Sequence, residues 1–151
     1  ILAQVGGSMD PMKDNMQYDA KIAGVISMAG AVIDPYLVLG KKINTPMDFI
    51  HGTCDEIVDM YSGNPFRCQD RKTFPVIYGG AAIYEASKQN GNSVYLNMIC
   101  NGSHGMGSVG YNNLVNLISD FTYSVIQGNP ITGKKIIPAE KGVCNKPDLC
   151  K

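Results

Sequence analysis

At 151 residues the chain is long enough for one domain with a real core and short for two. Thirteen basic residues balance thirteen acidic ones, which speaks against an electrostatic nucleic-acid binder, and no apolar run reaches the ~18 residues of a transmembrane helix. Hydrophobic residues make up 44% of the chain and charged ones 17%, an ordinary globular balance with a low charge content.

Residues 1–20 are polar and turn-rich after Val5, dotted with methionines, and read as an irregular N-terminal segment. The chain opens on Ile1 without a basic leader or a cleavage pattern, so the expectation is that it starts within a longer one. Three segments then read as buried strands: AGVISMAG (23–30), PMDFIHG (46–52) and SVYLNMIC (93–100). Their hydrophobicity is continuous rather than alternating, which suits strands of a parallel sheet covered on both faces. Between the second and third, residues 75–91 predict a helix that opens at Pro75, buries Val76, Ile83 and Ala86, and stops at Gly91. Its Gly79-Gly80 pair costs helix propensity and is expected to let the helix approach the sheet closely. After the third strand, Leu114, Leu117, Ile118, Phe121 and Val125 recur at helical spacing, with Gly128 just past the end.

Strand, helix, strand, helix is the α/β pattern, with right-handed crossovers laying the helices on the sheet. The division is therefore an irregular segment 1–20, an α/β domain over 21–128, and a C-terminal tail 129–151 carrying prolines, lysines and a cysteine pair. Three strands leave both sheet edges open, so the sheet reads as incomplete in this chain.

Five cysteines are many for a cytosolic protein of this size. Cys54 and Cys68 bracket one loop, Cys144 and Cys150 bracket a polar tail, and Cys100 lies inside an apolar strand. Two local disulfides and one buried thiol are the expectation, in a secreted or periplasmic protein. No C-x-x-C pair or histidine cluster supports metal binding.

Functional groups of open α/β sheets gather beyond the carboxyl ends of the strands. Asp55 follows the second strand in HGTCDEIVD, and His104 follows the third in NGSHGMG. A buried carboxylate that accepts the imidazole Nδ1–H fixes the tautomer and stabilises the charged ring, which leaves the other nitrogen as a general base. Glu56 and Asp59 read as surface charges, and His51, the other histidine, as a residue hydrogen-bonded to backbone.

These segments resemble the C-terminal half of the α/β-hydrolase family. HGTCDEIV is similar to its strand-then-acid segment, H-G-x-x-D-x-x-V, and GSHG to its histidine loop; the Tyr78-Gly79 pair before a helix is similar to carboxylesterase-like members. The resemblance runs over about residues 21–127 and implies Asp55 as the triad acid and His104 as the triad base, in the family's acid-before-histidine order. The family's serine stands in G-x-S-x-G, a pattern this sequence lacks; Ser8 in VGGSMDP follows no adequate strand, and Ser103 and Ser108 read as turn formers.

The resemblance thus implies a chain or fragment of a serine hydrolase of carboxylic esters, a carboxylesterase or lipase type. The nucleophile and oxyanion hole are expected on a missing N-terminal part, in cis or as a nicked chain. No metal or organic cofactor is implied, and this chain alone is expected to be inactive. The alternative is a non-catalytic hydrolase-like module that binds a ligand or partner.

Overall fold

The computed structural model describes residues 22–35, 45–65, 74–142, 144 and 150. The segment 1–20 with Ser8, and Cys68, lie outside the described residues. In chain order the elements are β1 (Val25–Met28), β2 (Ala31–Val32), β3 (Met47–Gly52), β4 (Ser62–Gly63), β5 (Ile77–Gly79), α1 (Gly80–Gln89), β6 (Val94–Cys100), a 3₁₀ turn (Met106–Ser108), α2 (Tyr111–Ile126) and β7 (Gly133–Pro138).

The architecture is α/β: a four-stranded parallel sheet in the order β1-β3-β6-β7, with β1 and β7 as its outer strands among the described residues and a helix on each face. The three apolar runs form β1, β3 and β6, and all six residues of β3 are buried. Successive side chains of a strand point to opposite faces, and this sorts the core into two clusters. Met47 and Phe49 of β3 with Leu96 and Met98 of β6 pack against Ala81, Ile83 and Tyr84 of α1. Ile50 and Ile99 face the other way, toward Leu117, with Leu114 and Ile118 of α2 packed alongside. Burial of a side chain such as Phe49, fully enclosed, contributes about 2–3 kcal/mol.

Three expectations are corrected. First, residues 133–138 are a strand and not surface tail: β7 pairs with β6 from Tyr95↔Gly133 to Cys100↔Pro138. Its Ile137 packs into the α2-side cluster, while Lys134 and Lys135 are exposed on the strand that ends the sheet among the described residues, which is why the segment reads as tail. Second, the helix expected from Pro75 begins at Gly80, and Val76 is exposed. Tyr78 instead pairs with Val32 and with Ser62 in a small antiparallel sheet of order β2-β5-β4. Third, β3, β6 and β7 step in one direction while α1 and α2 lie on opposite faces, so the two crossovers have opposite hand and only one obeys the right-handed rule. The close approach expected of the glycine pair is present: a Cβ on Gly80 would sit 3.3 Å from the Phe49 Cβ and 3.0 Å from the His51 Nδ1.

Candidate acid–base site

β3 and β6 are neighbouring parallel strands, so the loops leaving their carboxyl ends start side by side. Hydrogen bonds, two between main chains and one to the Thr53 hydroxyl, then lock the two loops together. Thr53 N–H donates to the Ile99 carbonyl (2.9 Å), Cys54 N–H to the Gly102 carbonyl (2.8 Å), and Asn101 N–H to the Thr53 hydroxyl (2.8 Å). The contact is main chain on main chain because Gly52 has no side chain: a Cβ there would lie 2.6 Å from the Ser103 carbonyl oxygen. Asn101 turns the chain at φ 60°, a left-handed conformation that asparagine tolerates better than most residues.

This juxtaposition brings together the two residues singled out in the sequence. His104 Nδ1 lies 2.9 Å from Asp55 Oδ2. The carboxylate is fully enclosed, whereas 38% of the His104 side chain is exposed. The second oxygen of Asp55 accepts the backbone N–H groups of Ile57 (2.9 Å) and Val58 (2.8 Å), so the acid caps its own loop. Glu56 is exposed, and Asp59 serves a separate turn, accepting the N–H groups of Tyr61 and Ser62.

Burial pushes the Asp55 carboxyl up, but the His51 ring, the Val58 N–H, the His104 ring and the Ile57 N–H outweigh it and hold the group at about 2. An ionised carboxylate only accepts hydrogen bonds, so the hydrogen on the facing His104 nitrogen must be on Nδ1. Its Nε2 then carries the lone pair, and among the described residues nothing hydrogen-bonds to it. The arrangement is a base: a partly exposed imidazole of fixed tautomer, with a buried negative charge behind it ready to stabilise the protonated ring.

His51 is fully buried and, as expected, bonded to backbone. The Gly80 N–H donates to its Nδ1 (3.1 Å), and its Nε2 lies 3.0 Å from the Val58 carbonyl. The same Nε2 is 3.2 Å from Asp55 Oδ2, a contact the sequence did not suggest. Its only sequence signal is position, one residue from the end of β3 and four before the acid.

The cysteines depart from expectation. Cys54 pairs with Cys144 across 90 residues, and Cys100 with Cys150 across 50. Both local pairings, Cys54 with Cys68 and Cys144 with Cys150, are excluded by this, as is the free core thiol at Cys100. Each bridge ties one of these two loops to the segment after β7: Cys54 adjoins Asp55, and Cys100 ends the strand that leads to His104. Local spacing misled because β7, paired with β6 as far as Cys100↔Pro138, brings Cys144 and Cys150 to the strand ends.

A second buried carboxyl, Asp48, sits in mid-sheet on β3. Burial pushes it up to about 7, although the Asn97 amide (3.0 Å) and the Phe49 backbone N–H oppose the change. Among the described residues, one carboxyl oxygen of Asp48 and the side-chain amide oxygen of Asn97 have no hydrogen-bond partner. Among the described residues no group of three or more His, Cys, Asp or Glu could hold a metal ion, and no helix is long and apolar enough to cross a membrane. Comparison of the chain with protein-family models, curated proteins and solved structures gives no match.

Proposed function

We propose that Asp55 and His104 are the acid and base of an α/β-hydrolase that cleaves carboxylic esters by acyl transfer through a serine. The observation that carries this reading is the 2.9 Å contact between the enclosed Asp55 carboxylate and the partly exposed His104 ring, on loops leaving adjacent parallel strands. The strand-then-acid and histidine-loop resemblance supports the same pairing.

In this mechanism His104 Nε2 takes the proton of a serine hydroxyl as the oxygen attacks the ester carbonyl. Asp55, ionised across the neutral range, stabilises the imidazolium that forms. The ring returns the proton to the leaving alcohol, then activates the water that releases the acid. The serine and the oxyanion donors come from chain outside these 151 residues, either preceding it in cis or retained as a nicked companion. Two disulfides fit an oxidising compartment, and we place the protein in a secreted or periplasmic location.

The test is a fluorophosphonate label on the native preparation, followed by intact-mass and peptide spectra. The expected result is one labelled serine, on an upstream segment or a companion chain. Absence of label would overturn the ester-hydrolase reading in favour of a non-catalytic binding module.

A further inference from the structure

Asp55 Oδ2 does not serve His104 alone. It lies between two imidazoles, His104 Nδ1 at 2.9 Å and His51 Nε2 at 3.2 Å. The roles of the buried ring follow from its neighbours. The Gly80 N–H, at the start of α1, can only donate, so Nδ1 of His51 must be the unprotonated nitrogen. The hydrogen then stands on Nε2, bonded to the Val58 carbonyl, with Asp55 Oδ2 as a second acceptor 3.2 Å from the same nitrogen. The ring is thus held as a one-sided donor. Val58 closes the circuit, because its carbonyl faces His51 while its N–H donates to the other Asp55 oxygen at 2.8 Å.

We propose that His51 is a positioning residue for the acid–base pair: braced by α1 through Gly80, its Nε2–H fixes the Asp55 carboxylate in the orientation that holds His104. This role rests on the reading of Asp55 and His104 as acid and base. Gly80 is part of the device, since any side chain there would press on the imidazole and on Phe49. The groups that face Asp55 are the rings of His51 and His104 and the N–H groups of Ile57 and Val58; the neighbouring Cys54 is tied in a bridge and does not titrate.

Two substitutions separate bracing from positioning in the disulfide-intact chain. His51→Asn keeps an acceptor within reach of the Gly80 N–H and removes the donor toward Asp55. His51→Gln keeps a donor at the position of Nε2 and loses the acceptor. The readout is the carbon-detected NMR titration of the Asp55 carboxyl, with near-ultraviolet circular dichroism to show that each variant is folded. The expected result is that His51→Asn raises the Asp55 midpoint by about one pH unit from about 2, while His51→Gln leaves it in place. Equal behaviour of the two variants would overturn the proposal, because a ring that serves only Gly80 and Val58 does not distinguish them in this way. Should His51→Asn not fold, a raised midpoint in His51→Gln overturns it alone. The titration needs no serine, so its outcome stands apart from the fluorophosphonate result.

Discussion

β3 carries one buried aspartate near its start and leads into another beyond its end, and the two behave oppositely. Asp48 and the side chain of Asp55 are equally enclosed, yet Asp48 is pushed up to about 7 and Asp55 is held at about 2. Burial is common to both; the supply of N–H donors differs. In the middle of a parallel sheet the strand N–H groups are engaged in the ladder, and Asp48 obtains one amide from Asn97 and its neighbour Phe49. Past the strand end the chain turns, the N–H groups of Ile57 and Val58 are released, and two rings converge on the same carboxylate. A negative charge is therefore cheapest where the chain leaves the sheet, which is also where a reacting group can reach it.

The strongest way to break this comparison is through pH. Asp48 binds its proton more tightly in the folded than in the unfolded chain. Its contribution is fully present below the ordinary 3.8 and is lost as the pH rises through about 7, by on the order of 4 kcal/mol. Denaturant unfolding between pH 4 and 8 should show that decline in the parent and none of it in Asp48→Asn. Equal declines in the two would remove Asp48 from the account.

A smaller effect sharpens the other side. Gly52→Ala drives a methyl into the Gly102 and Ser103 carbonyls, at a cost of roughly 2–3 kcal/mol, and pushes the histidine loop away. Asp55 keeps His51 and its two backbone donors, so it should stay ionised at pH 5 while the low-field His104 Nδ1–H resonance disappears. Retention of that resonance would show that the loops do not need their main-chain contact.

Smallest is the acid limb. The folded Asp55 is depressed, so its contribution is present above 3.8 and lost as the pH falls through about 2, a matter of about 2 kcal/mol. Asp55→Asn should be less stable than the parent near neutrality and lack this limb in acid unfolding followed by circular dichroism. An unchanged limb would mean that other carboxyls carry it.

Much of this was readable beforehand, for identifiable reasons. β3 and β6 announce themselves as continuous apolar runs because both faces of the sheet are covered there, whereas β1, equally apolar in sequence, is a half-buried edge strand with Met28 exposed. Asp55 and His104 could be paired because each stands just past such a run, and neighbouring parallel strands deliver their ends to one place. β7 was hidden by the lysines of an edge strand, and β5 by a proline that suits a helix start as well as a strand flank. The disulfide partners depend on where β7 carries the chain, which no local spacing encodes. The part played by His51 depends on Gly80, 29 residues away, and so is a property of the packed fold alone.

The two bridges also order events in time. Asp55 and His104 emerge from the ribosome well before Cys144 and Cys150, the partners that tether their loops. An oxidant that acts while the chain is still being made finds Cys54 and Cys100 without their native mates, and Cys68 nearest in sequence to Cys54. Native connectivity therefore requires that both bridges close only after residues 144 and 150 have been made.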